Sequence, residues 1–209
     1  MRDRYHDIDD FLATEHDVPS SFFRGAHALS EAFGSRARED VGEDFQCALP
    51  LWMYDGEELN SLIDIEHLPE CFDASVFAKI RSENGARITN LRSVNESFFG
   101  FGARLAEALE AQAQALEEGH KQAVMEKAED LRNDIVDAYE RRWRDVLFEA
   151  CGRSSEIQKL ERLLTREERK VWDAGRAAQA SYENWKNGRG ARVEAAKIVL
   201  DAKKKQRLG

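Results

Sequence analysis

Apolar residues recur at spacings of three and four along the chain beyond residue 68, which is the pattern of amphipathic helices. Pro69 suits the first turn of a helix because a first-turn residue needs no amide hydrogen, and we expect this helix to end by Gly85. The pattern predicts that the chain beyond Pro69 is helical. The apolar face of this first helix consists of Cys71, Phe72, Val76, Phe77 and Ile80.

Two longer apolar stripes follow, each with charged residues on the opposite side. They predict two long helices that pack through their apolar faces. The first is expected to end or to be interrupted at Gly119 and carries Phe98, Phe101, Leu105, Leu109, Ala113 and Leu116. The second is expected to end at Cys151–Gly152 and carries Val124, Ala128, Leu131, Ile135, Tyr139, Trp143, Val146 and Ala150.

Two capping patterns predict where the last helices begin. The sequence Ser155–Gln158 leads a short helix that carries Leu160, Leu163 and Leu164. In Thr165–Glu168 the hydroxyl and the carboxylate can satisfy each other's backbone amides, so a longer helix is predicted to start here and to end at Asn187–Gly188. One side of that helix carries Val171, Trp172, Gly175, Ala178, Tyr182 and Trp185.

The first third of the chain has a different character, because it holds all three prolines. Phe45–Met53 is short, apolar and bounded by glycines, so it predicts a strand, and Leu62–Ile65 alternates and is the predicted partner strand. Residues 20–44 are rich in Gly, Ser and charges and predict a loop-rich insertion with one short helix at 26–33.

The predicted fold class is therefore mainly α with a small N-terminal β domain (α+β). A small β-rich domain occupies residues 1–66, a helical-bundle domain residues 67–187, and a basic tail residues 188–209.

Charge is unevenly distributed over these parts. Residues 1–66 carry five Lys/Arg and 16 Asp/Glu, whereas residues 188–209 carry seven and two. An acidic N-terminal third repels phosphate, so we expect direct DNA contact to be weak or indirect and expect a protein partner instead. No apolar run is long enough for a membrane span, and the N-terminus lacks the apolar core of a secretory signal, so an intracellular protein is expected.

Motifs of catalysis and of cofactor binding are absent from the sequence. There is no phosphate-binding Gly-x-x-x-x-Gly-Lys, no His-Glu-x-x-His, no Gly-x-Ser-x-Gly and no EF-hand loop. The three cysteines lie far apart and the five histidines are scattered, which predicts reduced thiols and no metal site. We therefore expect a protein that is not an enzyme and that has no cofactor.

Two aromatic motifs stand out instead. Phe98-Phe99-Gly100-Phe101-Gly102 places three rings around two glycines, which suits either the close approach of another backbone or a corner of the core. Leu49-Pro50-Leu51-Trp52 suits a sheet edge at a domain junction or a small β core. We expect Phe101 and Trp52 to fix the packing of these two segments. Trp143, Trp172 and Trp185 suit either the core or the centre of a subunit interface.

With these motifs in this order, the chain resembles subunit three of the eukaryotic GINS complex, the heterotetramer that works with the MCM helicase in DNA replication. The resemblance spans residues 5 to about 187, and the acidic segment 20–44 departs from it. Its motifs are the opening Tyr5–Ala13 followed by Pro19, the strand Leu49–Trp52, the segment Ile65–Pro69, the motif Phe98–Gly102 and the positions Leu160, Leu163, Trp172, Gly175 and Trp185.

The resemblance implies a non-catalytic, nuclear subunit whose partners are the three other GINS subunits and, through the complex, the MCM ring. It also implies that the helical domain builds the tetramer core, and Trp172, Gly175, Tyr182 and Trp185 are the candidates for such contacts. The apolar stripes alone would equally suit a self-associating helical scaffold or adaptor protein that is unrelated to replication.

Both ends of the chain are open to two interpretations. The N-terminal residues are either a partner-binding peptide or a loose terminus, and the peptide would use Tyr5, Ile8, Phe11 and Leu12. The tail is either a nuclear import signal or a solvated end, and the signal would consist of Lys203, Lys204, Lys205 and Arg207.

Overall fold

The structure is a computed structural model of the chain and has the α+β layout that the sequence predicts, with a small antiparallel sheet near the N-terminus followed by helices. The residues that it describes are 7–22, 46–56, 62–65, 67–82, 88–116, 118–152 and 157–189. Several predictions lie outside these ranges, namely those for Tyr5, the helix at 26–33, Gly85, the capping residue Ser155 and the basic residues 203–207.

A short helix precedes the sheet. Helix α1 (Ile8–Thr14) begins after Asp7, whose carboxylate accepts a hydrogen bond from the amide of Asp9 (3.0 Å) and so caps the helix. The sheet is antiparallel, and its central strand is the first in the chain. Its strands are β1 (Asp17–Phe22), β2 (Gln46–Pro50) and β3 (Ile63–Asp64), in the order β2-β1-β3.

The strand predicted over Phe45–Met53 is confirmed only in part. Strand β2 ends at Pro50, and Leu51–Asp55 forms a 3₁₀ turn that leaves Trp52 exposed. Strand pairing stops there because Pro50 lies opposite Asp17, the first residue of β1. Pro50 does lie on an edge strand of the described sheet, as its missing amide hydrogen favours.

The pairing predicted for this strand is wrong. Strand β3 lies within Leu62–Ile65 as expected, but it pairs with β1 and not with β2. The central strand was missed because its sequence, DVPSSF, contains two serines and Pro19 and extends into the segment predicted as a loop. Pro19 is tolerated there because β3 pairs only with Ser21 and Phe22, so Pro19 has one strand neighbour within the described sheet.

The helical part follows the predicted stripes closely. Pro69 precedes a 3₁₀ turn at Glu70–Phe72 rather than an α-helical turn, and the first helix comes after it. Gly119 does not end a helix. The stripe that begins at Phe98 stops at Leu116, where the backbone is extended, and Gly119 lies in the first turn of the next helix. The helices are α2 (Ala74–Ser82), α3 (Phe98–Ala115), α4 (Glu118–Cys151), α5 (Ile157–Glu161) and α6 (Arg166–Lys186).

One continuous cluster of buried side chains joins the sheet to the helices. Phe98 and Phe101 lie at its centre, and the Phe72 ring packs against both at centroid distances of 5.2 Å. The sheet contributes Val18, Phe22, Leu49, Ile63 and Ile65, and α3 and α4 contribute Leu105, Leu109, Leu131 and Ile135. A smaller cluster under α6 consists of Ile88, Val146, Ala150, Leu164 and Trp172.

Gly102 allows α3 and α4 to approach each other. A Cβ atom at this position would lie 2.8 Å from Cγ1 of Ile135 and 3.0 Å from Cε1 of Phe72, which is closer than carbon atoms can pack. The sequence left open whether another backbone approaches this motif or the motif is a corner of the core, and the group that approaches Gly102 is the Ile135 side chain. The Phe98–Gly102 motif is therefore a corner of the core.

We expect Gly102→Ala to lower the free energy of unfolding by about 1–3 kcal/mol, because the new methyl group displaces Ile135 in a packed core. Urea unfolding measures this. The control is Gly119→Ala, where a Cβ atom meets nothing within 4 Å, and a gain of up to about 1 kcal/mol is expected. Adding Ile135→Val to Gly102→Ala should restore part of the loss, and a Gly102→Ala protein as stable as the wild type would contradict the packing described here.

Candidate interaction surface at the end of the last helix

A buried ion pair fastens α6 to α4. The guanidinium of Arg142 donates through Nε and Nη2 to the two carboxylate oxygens of Glu168, with an Nη2–Oε2 distance of 3.2 Å. The side chains are 2% and 1% exposed. Charges removed from water this far are tolerated only when they are paired and hydrogen-bonded, so this pair fixes how the two helices lie against each other.

The surroundings of the ion pair complete its hydrogen bonds. Glu168 Oε2 accepts from the amide of Thr165 (3.0 Å), and the amide of Glu168 donates to Thr165 Oγ1 (3.3 Å), which is the predicted capping box. Arg142 Nη2 also donates to the carbonyl of Thr89 (3.1 Å). The Glu168 carboxylate thus caps the start of α6 and neutralises the charge of Arg142 on α4. Arg142 in turn holds the segment before α3 through the carbonyl of Thr89.

The buried row of α4 differs from the predicted one at this point. The sequence placed Trp143 in the stripe, but Arg142 occupies the buried position and Trp143 is partly exposed. Adjacent residues point about 100° apart on a helix, so choosing the tryptophan by hydrophobicity selected the wrong neighbour. The remaining apolar members of the stripe are buried or half-buried as predicted.

The last helix runs in the same direction as α4 where the two are in contact. Glu168 meets Arg142 near the start of α6. Seven residues later on α6, a Cβ atom at Gly175 would lie 2.9 Å from Cβ of Ala150, which follows Arg142 by eight residues on α4. Helix α4 ends one residue later, at Cys151. Gly175, a candidate for contact with another subunit, is therefore packed against α4 of its own chain.

Beyond Gly175, α6 projects past the end of α4. It continues to Lys186, which adds about 16 Å at 1.5 Å per residue. Tyr182 and Trp185 lie on this projecting end and are 53% and 72% exposed, with ring centroids 5.9 Å apart. Seven residues are close to two helical turns, so Tyr182 continues the side on which Gly175 packs against α4.

We define the projecting end as residues 176–189, which include Tyr182 and Trp185. Arg176, Lys186 and Arg189 are exposed in this segment, against the single acidic residue Glu183. The aromatic pair therefore lies in a basic part of a chain whose formal net charge is -9. Tyrosine, tryptophan and arginine are enriched at protein interfaces, and exposed aromatic side chains that lie together often mark such a site.

The other predicted site residues fall into two groups. Phe98, Phe99, Phe101 and Trp172 are buried within the chain, so they stabilise the fold and are not available to a partner. In the Leu49–Trp52 motif, Leu49 and Leu51 are buried and Pro50 is half-buried, whereas Trp52 is exposed, so the expectation that Trp52 fixes local packing is wrong.

The described part of the N-terminal segment is a docked helix and not a loose terminus. Ile8 and Phe11 are exposed and Leu12 is half-buried. Four exposed apolar side chains were not found from the sequence, namely Val94 and, on α4, Met125, Val136 and Phe148. They lie among charged residues without a recognisable motif, so their exposure becomes clear only when the structure shows which side of each segment is buried.

Possible metal ligands do not cluster within the described residues. No group of three or more His, Cys, Asp or Glu residues within them could hold a metal ion. All three cysteines are free thiols, as predicted, and burial raises the pKa of Cys71 to about 12 and also raises the pKa of Cys47. Both of these thiols therefore stay protonated near neutral pH.

A cavity of about 400 Å³ lies beside the start of α4 and is lined by Asp64, His67, Leu116, His120, Ala123, Val124 and Lys127. None of the described helices has the length and apolar character that a membrane span requires.

Comparison with known protein families and with curated proteins found no match for this chain. The resemblance to the GINS subunit therefore stays a prediction from the motifs quoted above.

The buried ion pair makes a quantitative prediction. Arg142→Met leaves the Glu168 carboxylate buried without its partner, and we expect it to lower the free energy of unfolding by about 3–5 kcal/mol in urea. Glu168→Gln in the same chain removes the stranded charge and keeps the capping box, so the double variant should recover part of the loss.

The control for this prediction is Arg141→Met. Arg141 pairs with Asp137 on the surface (2.9 Å), where an ion pair contributes roughly 0–1 kcal/mol. Equal effects of the Arg141 and Arg142 substitutions would show that the buried pair does not hold the helices together.

His16 gives a pH dependence at the junction of α1 and β1. Burial lowers the pKa of His16. The carboxylates of Asp17 and Glu15 oppose this shift, and the positive charge of Arg166 adds to it. The His16 ring packs against Phe101, with ring centroids 4.9 Å apart. The folded state favours the neutral ring, so its stability is complete above about pH 6.5 and falls as the pH drops through the lowered pKa. In urea unfolding, His16→Gln should lose less stability than the wild type between about pH 7.5 and about pH 5. Identical slopes for the two proteins would contradict this assignment.

Proposed function

We propose that this chain is a non-catalytic subunit of a GINS-type heterotetramer, which acts with the MCM ring of the replicative helicase in the nucleus during initiation and elongation of DNA replication. The proposal is supported by the motifs of the resemblance, which occur in order over residues 5 to about 187. Its partners are the three other subunits and, through them, the MCM ring. It needs no cofactor, and any direct contact with DNA is weak or indirect.

The projecting end of α6 is the observation that carries the proposal. A helix whose last turns have no neighbouring helix exposes its backbone hydrogen bonds and its apolar side chains to water. Tyr182 and Trp185 present large rings there, and each ring can bury about 150–250 Å² in a contact. Burial of this pair against another subunit would supply a partner that the described residues do not provide for this end of α6.

The position of the end relative to the core also suits an assembly. Arg142 and Glu168 fix the first half of α6, so the second half is presented at a defined angle without a hinge. A rigid, pre-oriented aromatic anchor loses little conformational entropy when it binds. Such an anchor is favourable in a complex whose helical domains pack side by side.

The direct test is to express the chain alone and together with the three other candidate GINS subunits from the same source, and to measure the mass of each purified species by light scattering. A stoichiometric heterotetramer is the expected result. A well-behaved homodimer that ignores the other three subunits would contradict the proposal and favour the self-associating scaffold.

We expect Tyr182→Ala/Trp185→Ala to weaken assembly at least tenfold, because truncating central aromatic residues of an interface typically costs about 2 kcal/mol or more. The melting temperature of the lone chain should change little, because both rings are exposed in it. Affinity is measured by titrating labelled variant chain into the three-subunit mixture.

The matched control is Val136→Ser, an exposed apolar residue on α4 away from the projecting end. It should leave assembly unchanged. Equal assembly by the aromatic double variant and the wild type would remove the projecting end from the interface.

A further inference from the structure

Helix α1 docks through charged side chains and presents its apolar residues to water. Asp10 accepts hydrogen bonds from Arg104 Nε (2.8 Å) and Nη2 (2.6 Å), and the two side chains are only 20% and 19% exposed. On the opposite side of the helix, Ile8 is 74% and Phe11 is 60% exposed. A surface helix normally buries its apolar side, so the orientation of α1 is the reverse of the usual one.

A second ion pair joins α1 to the start of α6. Asp9 pairs with Lys170 Nζ (2.6 Å), and its carboxylate lies 3.9 Å from Arg166 Nη1. Lys170 is 63% exposed, so dissolved salt screens this pair. Because Asp9 and Asp10 are neighbours in the sequence, one short helix is tied to α6 by the first and to α3 by the second.

The apolar contribution to this docking is small. Ala13 and Thr14 are the buried residues of α1, and Leu12 is half-buried. Ala13 lies against the start of α3, where a Cβ atom at Gly100 would lie 3.4 Å from Cβ of Ala13. Burial of such small side chains removes little apolar surface from water, so the ion pairs supply most of the attraction.

The docked arrangement also has a cost at the same boundary. Arg166 Nε and Glu167 Oε2 are buried and have no hydrogen-bond partner among the described residues. Both residues lie beside α1, since Arg166 faces Asp9 and since Glu167 Oε1 accepts from the amide of Gly100 (2.9 Å), next to Ala13. A buried polar atom without a partner has lost its hydrogen bonds to water, and this loss opposes docking.

We propose that α1 is a latch, formed by residues 8–14, that releases from α3 and α6 as a unit while the rest of the chain stays folded. Ionic strength sets its docked fraction, because ion pairs hold it and buried polar atoms oppose it. The hinge is Glu15, since the next residue is fixed by a hydrogen bond from the amide of Leu51 to the carbonyl of His16 (2.9 Å).

Release of the latch uncovers the start of α3. The Arg104 guanidinium loses its bidentate partner, and the backbone at Gly100 loses the contact with Ala13. The latch therefore controls access to this part of the helical domain. The inference goes beyond the proposed function, because it concerns the isolated chain and holds whether or not the chain assembles with other subunits.

Hydrogen exchange of the amides of residues 8–14, measured by mass spectrometry on the full-length chain, tests the latch. We expect exchange in α1 to rise at least threefold when sodium chloride is raised from about 0.05 M to about 0.5 M, because salt screens the ion pairs. Exchange in the buried part of α4 should stay unchanged, which would show that the release is local.

Exchanging the charges of one ion pair separates a specific contact from a general loss of stability. Asp10→Arg and Arg104→Asp should each raise exchange in residues 8–14 at least tenfold at low salt. The double variant Asp10→Arg/Arg104→Asp should recover part of the protection, since opposite charges face each other again.

The matched control is Arg132→Asp, which makes the same change of charge at an ion pair between α3 and α4. Arg132 pairs with Glu110 (2.5 Å), which lies six residues farther along α3 than Arg104. Exchange in α1 should be that of the wild type in this variant.

Three results would overturn the proposal. Exchange in α1 that ignores either salt or the substitutions at Asp10 and Arg104 would show that the docking is not ionic. Exchange in α1 that occurs only together with that of α3 and α4 would show that α1 opens only on global unfolding. A rate in α1 that changes on tenfold dilution would show that a second copy of the chain holds the helix.

Discussion

The ion pair between Arg142 and Glu168 is the constraint on which the arrangement of the helices depends. It lies out of water, so neither charge is stable without the other, and helix α6 can lie against α4 only in the register that joins them. The Glu168 carboxylate also caps its own helix through Thr165, which couples the start of α6 to its docking. Local helix formation and long-range packing are therefore satisfied by one side chain.

The projecting end follows from this register. Because Glu168 is fixed at Arg142, Gly175 comes level with Ala150, and α4 ends at the next residue. The remaining turns of α6 extend with their aromatic side into solvent. A shift by one turn would bring more of α6 against α4, but it would separate the buried charges. The pair thus determines how much of the last helix is left for a partner, which is the basis of the proposed role as a subunit.

Much of the fold could be predicted because its signals are local. The Thr165–Glu168 capping box and the Phe98–Gly102 motif are short patterns whose chemistry acts within a few residues. Arg142 was missed because its partner is 26 residues away, and a charged residue beside Trp143 appears solvated when only periodicity is considered. The central strand was missed for a similar reason, since pairing with two distant strands overrides the turn-forming composition of its sequence. The exposure of Tyr182 and Trp185 depends on where another helix ends.

Hydrogen exchange along α6 in the isolated full-length chain tests the central claim most directly. It compares the protection of the half of α6 that packs against α4 with the protection of the projecting end. The account predicts strong protection of the amides up to about Gly175 and rapid exchange of those from Gln179 to Lys186, where most side chains are exposed. Protection of the distal half should then appear on assembly with a partner. Uniform protection along α6 in the isolated, monomeric chain would contradict the account, since it would mean that the end is already packed against the rest of the molecule.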